Sequence, residues 1–369
     1  MFRVTSRTFK APAVALLAAL LPLAAALRPG PLLAARRTQA SPGARRQPAP
    51  DPGDAATITF DEIDYDEGAG VAHLKGNVEV LSGNRILRAD EMTVKRRPGE
   101  QSQMDWAKAR GHVYLEEKAQ TASAPPVLTG TGERGEYHDQ EQTATLEDNV
   151  VLHYGSMSLA EPATITGARA DIDMKVDRAV VHRSPERQVR TLVKPKGRPP
   201  ATGEPETPPE PIELTSDEVT RDGKARTFVA TGDPLLVRGS SRMKADKIWC
   251  QLEQETDVLK DAHGDGNVVI DNEDEKNGQL HATGDHVTYV QATSVITLTG
   301  HVHATQKLKN QPEARTASFA EFSYNSNTRA WSGKGGAGGR GTLIFPQGTT
   351  PAPGSGPRAQ PATGGSRSK

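Results

Sequence analysis

Apolar and polar residues alternate through several short stretches of this chain. Leu74-Lys75-Gly76-Asn77-Val78-Glu79-Val80 is one, and Ala109-Arg110-Gly111-His112-Val113-Tyr114-Leu115, Asp265 to Ile270 and Leu298 to Ala304 repeat the pattern. Alternation with a period of two is the mark of a strand with one buried and one wet face. A glycine sits at the centre of each stretch and returns at a fixed interval. Gly76 and Gly111 lie 35 residues apart, and Gly232, Gly266, Gly300 and Gly335 follow one another at 34, 34 and 35. A period near 34 also suits helical repeats, but glycine within strict alternation argues for strands.

Each unit reads as two strands, the first marked by an Asp-x-apolar-x-Tyr-like phrase and the second by the glycine phrase. The first phrases are Asp61 to Tyr65, Ala89 to Val94, Gly135 to Tyr137, Ala170 to Met174, Asp217 to Val219, Ala245 to Trp249, Gly284 to Tyr289 and Ala320 to Tyr324. In the third unit Asp148 stands where the glycine is expected, and the fourth unit is the most degenerate. Eight units predict about sixteen strands; shared between two sheets, they would stack to roughly 38 Å at about 4.8 Å per strand. The predicted fold class is all-β, an antiparallel roll of about eight two-strand repeats, either continuous or in two tandem halves.

The expected boundaries follow from composition. Residues 1–27 are a signal peptide or anchor, 28–55 a Pro, Ala and Arg-rich disordered spacer, and 56–193 the first half of the repeats. Residues 194–211 hold seven prolines and form a linker, 212–345 are the second half, and 346–369 a disordered Pro, Gly, Ser and Thr tail. At the amino terminus Arg3, Arg7 and Lys10 precede the apolar run Ala11 to Leu27, with small residues at Ala24 to Ala26. That is the pattern of a secretory signal, and an uncleaved anchor is the competing reading.

Parity assigns the inward face. Leu74, Val78, Val80, Met92, Val94, Val113, Leu115, Leu146, Val150, Leu152, Ile248, Val268, Ile270, Val287, Ile296, Leu298, Val302 and Phe322 point inward, with Tyr289 and Tyr324 beside them. These residues either form an ordinary core or line a groove. The central glycine would let the strand bend or leave space. Glu79, His301 and His303 fall on the outer face.

Lys plus Arg number 45 and Asp plus Glu 46, so no net basic charge is available to hold a nucleic acid backbone. Aromatic residues make up 4% of the chain, which suits many two-faced strands better than one thick core. The one cysteine, Cys250, falls at an inward strand position and reads as a small buried hydrophobe. His281, His286, His301 and His303 lack the cysteines or spaced carboxylates of a metal site. Asp271 to Glu275 reads as an acidic turn and Gly333 to Gly341 as linker. No nucleophile arrangement is visible, so neither enzyme, metal nor cofactor is expected. A lyase on a β-helix and a purely structural repeat protein are the alternatives from other classes.

The phrases Ile63 to Asp66, Leu74 to Val80 and Leu87 to Met92 resemble the OstA-like repeats of the periplasmic lipopolysaccharide-transport proteins, LptA, LptC and the amino-terminal part of LptD. The resemblance implies an antiparallel β-jellyroll shaped like a twisted V whose interior holds the acyl chains of lipopolysaccharide. It makes the inward residues above groove-lining candidates. It further implies a periplasmic location, partners that are jellyroll transport proteins at the inner and outer membranes, and head-to-tail assembly. An LptC-like docking protein held in the inner membrane by Ala11 to Leu27 is the alternative within the family. Each methylene moved from water into an apolar lining gains ~0.8 kcal/mol, so a groove of similar rungs favours sliding over a sealed pocket. Open edges are expected in the first and last units, with Val80 and Tyr324 as the positions where proline would block pairing with a neighbour.

Overall fold

Nearly every long strand of this protein is folded over at one point, and that bend sets the architecture. In the computed structural model, residues 56–344 are described apart from 99–103, 119–127, 156–158, 195–209, 254–258, 275–277, 308–312, 326–330 and 337–338. The expected leader or anchor, the spacer, most of the Pro-rich segment and the tail lie outside the described residues. No helix occurs among the described residues.

At the first bend Gly76 and Asn77 take positive φ values of 74° and 45°. The backbone N–H of Asp61 on the preceding rung donates to both Lys75 O and Gly76 O at 3.1 Å, and Asn77 Nδ2 donates to the Asp61 carboxylate at 3.0 Å. A Cβ on Gly76 would run into that carboxylate, so the glycine serves the bend and opens no vacant space there. The same aspartate clamp holds Gly111–His112 against Asp90, Gly266–Asn267 against Asp246, and Gly300–His301 against Asp285. In the third unit Asp148 and Asn149 take φ values of 63° and 54°, which their short polar side chains tolerate. Asp opening one strand and Gly closing the next are two halves of one contact.

The rungs follow in chain order. β1 (Thr57–Thr59) and β2 (Glu62–Asp66) make the first, and β3 (Val71–Ser82), β4 (Arg85–Arg96), β5 (Met104–Glu117), β6 (Leu128–His138), β7 (Thr143–Tyr154) and β8 (Ala163–Asp173) run through the bend unbroken. Four broken rungs come next: β9 (Arg178–His182) with β10 (Val189–Val193), β11 (Ile212–Ser216) with β12 (Glu218–Asp222), β13 (Thr227–Thr231) with β14 (Leu235–Arg238), and β15 (Ser241–Lys244) with β16 (Lys247–Leu252). β17 (Leu259–Asp274), β18 (Gly278–Val290), β19 (Val295–Lys307) and β20 (Arg315–Asn325) are again unbroken, and β21 (Trp331–Lys334) with β22 (Thr342–Ile344) close the series.

All pairings are antiparallel, and the ladder shifts register at each bend, as between Lys75 and Val78. Each rung therefore contributes one half to each of two facing sheets. This corrects the expectation that sixteen strands divide between the sheets: both sheets are sixteen rungs deep, and the roll is about 72 Å long at about 4.8 Å per rung. The ladders also pass the Pro-rich insert without a break. β10 pairs β11 from Val189↔Ser216 to Val193↔Ile212, and β9 pairs β12 from His182↔Glu218 to Arg178↔Asp222. Of the two arrangements left open by the sequence, a single continuous roll is observed.

The core does divide, but elsewhere. One apolar cluster runs from Leu74 to Ala230 and a second from Met243 to Tyr324, with Leu214 packed against both. Val219 and Ala230 follow the insert in sequence yet complete the first cluster.

Candidate functional site

Pairing register alone generates two rows of inward side chains that run from end to end. On the first sheet the row is Ile63, Leu74, Met92, Ala109, Gly135, Leu146, Ala170, Val181, Val219, Ala230, Ile248, Gly264, Val287, Leu298, Phe322 and Gly333. On the second it is Ile58, Val80, Leu87, Leu115, Gly130, Leu152, Ile165, Thr191, Leu214, Leu236, Met243, Ile270, Ala282, Ala304, Ala317 and Leu343. Thr191 is the one polar member of thirty-two. A tape of this kind presents nearly the same apolar surface at every rung.

Leu74, Val78, Val80, Met92, Val94, Val113, Leu115, Leu146, Val150, Leu152, Ile248, Val268, Ile270, Val287, Ile296, Leu298 and Val302 are all buried in one or other cluster, and Phe322 is half-buried against the second. Parity survives the bend because the bend consumes two residues, Gly76 and Asn77, and so returns the strand to the same face. The sheets face each other closely. A Cβ on Gly130 of the second sheet would press on Leu146 of the first, and one on Gly135 would press on Val113 opposite.

One row further from the bend, at the margin of the roll opposite the bends (the mouth), polar groups enter that parity alone would have flagged. Arg221 stands two residues beyond Val219, Arg238 two beyond Leu236, and Tyr154 two beyond Leu152, yet the sequence reading passed over them because charge usually marks an outer face. On the first sheet this mouth row carries Tyr65, Tyr137, Arg221 and Tyr289 at every fourth rung, about 19 Å apart. The last three meet residues of the second sheet across the mouth. Arg85 Nη1 donates to the Tyr137 hydroxyl at 3.4 Å, and the Arg221 guanidinium lies 4.6 Å from the centre of the Tyr154 ring. Arg238 and Tyr289 lie within electrostatic reach of each other. Four of the six tyrosines (Tyr137, Tyr154, Tyr289 and Tyr324) are buried, so the interior is less purely aliphatic than the composition suggests.

The electrostatics of the mouth differ from pair to pair. Desolvation raises the Tyr154 and Tyr137 hydroxyls above the ordinary tyrosine range, keeping both phenols neutral. Arg221 is neutralised by Asp177, with Nη1 to Oδ1 at 2.5 Å, and Phe228 meets the Tyr154 ring edge-on at 6.4 Å. Burial pulls Arg238 below the usual guanidinium range, opposed by the nearby Glu210 carboxylate and Tyr289. Cys250 packs against the second cluster, and desolvation pushes its thiol up to about 11. On the outer face His301 contacts Asp285 at 2.8 Å, His281 contacts Asp271 at 2.7 Å, His286 contacts Asp265 at 3.1 Å and His303 contacts Ser318 at 3.1 Å. Among the described residues no three His, Cys, Asp or Glu side chains gather as a metal site.

These features define an all-β roll of bent strands with an apolar interior track. The chain matches the family described as LptA/(LptD N-terminal domain) LPS transport protein over residues 57–178 and 213–318, more than half its length, and it belongs to that family. Among solved structures it is similar to LptH, the LptA-homologous periplasmic component of the lipopolysaccharide transport device of Pseudomonas aeruginosa. That likeness has 15% identity and a TM-score of 0.32, covering 37% of this chain and 96% of LptH. No curated protein sequence matches the chain.

Proposed function

We propose that this chain is a non-enzymatic bridge protein of the periplasm that binds lipopolysaccharide by its acyl chains and passes it from the inner membrane toward the outer membrane. The observation that carries this reading is the pair of apolar rows extending over sixteen rungs, in a chain of the lipopolysaccharide-transport family. Acyl chains placed between the sheets would exchange one apolar contact for another at each step, so movement along the roll need not cross a barrier set by full re-exposure to water. The end rungs suit assembly. Phe60, Ile63 and Tyr65 at one end and Leu343 and Ile344 at the other are exposed large hydrophobics beside strand edges that are unpaired among the described residues, and another jellyroll or a second copy would cover them.

Mass spectrometry of the full chain purified without harsh detergent tests the reading. Co-purified lipopolysaccharide or lipid A is the expected result. Repeated preparations free of lipid, and failure to take up added lipopolysaccharide, would favour a structural repeat protein instead. The basic and apolar segment from Arg3 to Leu27 also fits an LptC-like anchored role. A mature protein beginning near Leu27 supports the soluble bridge, and one retaining Arg3 supports the anchor.

A further inference from the structure

The apolar interior changes character at one place, the seam between the two clusters, and Arg238 stands there. Its residue number falls between Ala230, the last member of the first cluster in sequence, and Met243, the first member of the second. Arg238 is 6% exposed, and its Nε and Nη1 have no hydrogen-bond partner. Its register neighbours are Ile212 on β11 and Ser241 on β15, and neither side chain accepts from these nitrogens: Ile212 has no acceptor, and the Ser241 hydroxyl is turned to donate to Asn272 Oδ1 at 3.3 Å. Glu210 is close enough to favour the charge but forms no ion pair with it among the described residues. Tyr289 lies across the mouth with its hydroxyl donating to Gln291 at 2.7 Å.

A guanidinium this deeply buried and lacking an acceptor is costly to retain, and hydrophobic replacement of a buried charge is often neutral or stabilising. The comparison within the same mouth is informative. Arg221 has Asp177, and Arg85, although its Nε is unpartnered, has the Tyr137 hydroxyl at Nη1, whereas Arg238 has no such partner and presents two unpartnered donor nitrogens, Nε and Nη1, where chains in the second cluster would end at the mouth. Charge-assisted hydrogen bonds to a phosphate use this geometry.

Resting on the lipid-track reading, we infer that Arg238 is a docking site for a phosphate-class anionic headgroup, holding an amphiphile at the seam while its chains occupy the second apolar cluster. The groove then has one defined station within an otherwise uniform track.

The test compares the full-length protein with its Arg238→Gln and Arg238→Lys variants, measuring affinity for diphosphorylated lipid A and for the same lipid with its phosphates removed. Wild type is expected to prefer the phosphorylated lipid by about tenfold or more, the scale of a charged hydrogen bond. Arg238→Gln should lose that preference while binding the dephosphorylated lipid as wild type does, and Arg238→Lys should keep part of it. The thermal midpoint of Arg238→Gln should equal or exceed that of wild type. A large drop would make Arg238 a structural residue and overturn the assignment, as would equal preference in wild type and Arg238→Gln. If millimolar inorganic phosphate raises the wild-type midpoint but not that of the Gln variant, while neither protein distinguishes the two lipids, the site serves a free anion and the headgroup assignment fails. Absence of binding to either lipid by wild type would instead overturn the lipid-track reading itself.

Discussion

Gly266 and Asp246 illustrate the unit of construction at the residue scale. Gly266 takes φ 75°, the Asp246 N–H donates to Asp265 O and Gly266 O at 3.1 and 2.9 Å, and Asn267 Nδ2 donates to the Asp246 carboxylate at 3.0 Å. The recurrence of glycine was visible in the sequence, and so was that of aspartate, but not that one strand's aspartate clamps the next strand's glycine. That pairing depends on register, which alternation alone leaves open. Gly266→Ala forces a side chain onto a left-handed backbone and into the Asp246 carboxylate, and about 1–3 kcal/mol of stability is expected to be lost. Chemical denaturation of the variant checks this, and an unchanged midpoint would refute the clamp. The mouth residues were missed for a different reason. Arg221 and Arg238 occupy inward parity positions, but nothing in a single strand distinguishes a charge that points between the sheets from one that faces water.

Among the elements, long alternating strands such as β5, β7 and β19 were legible because their apolar period is unbroken on both sides of the bend. The middle rungs were harder to read. β9 to β16 are short pieces, and the glycine phrase is weak or absent there, so Val181, Val189 and Met243 were not picked out although all are buried. The edges were also misplaced by one rung. Val80 pairs with Ile58 and Leu87, and Tyr324 pairs with Ile296 and Trp331, so both lie inside the ladder. Among the described residues the open edges are β1 with β2 and β21 with β22. Ile63→Pro in β2, at an exposed position, is expected to weaken self-association or partner binding while leaving the unfolding midpoint near wild type. Val268→Pro in β17, opposite Gly284 and next to Val269, which pairs with Lys244, should cost about 3 kcal/mol or more, because it breaks an interior strand flanked by β15 and β18. Analytical ultracentrifugation and denaturation together decide. Equal destabilisation by the two prolines, or assembly untouched by Ile63→Pro, would contradict the edge assignment.

For the whole molecule, sequence composition pointed to a break at residues 194–211, while the hydrogen-bonded ladders continue past it and the core divides later, between Ala230 and Met243. The proline run does not interrupt the sheet, because the strands that flank it in sequence, β10 and β11, pair directly with each other. Cutting the chain at a protease site introduced within 195–209 should therefore leave two fragments that co-elute, held by the β10–β11 and β9–β12 ladders and by Val219 and Ala230 in the first cluster. Separation of the fragments under native conditions would show two independent rolls. Site-specific photo-crosslinking to lipopolysaccharide measures the proposed continuous lipid track most directly. With the probe placed in turn at Val80, Leu115, Leu152, Ile270 and Ile296, and at the outward Glu79 and His301 as controls, adducts are expected at all five inward positions on both sides of the seam and at neither control. Equal adducts on the two faces, or adducts confined to one side of Arg238, would contradict it.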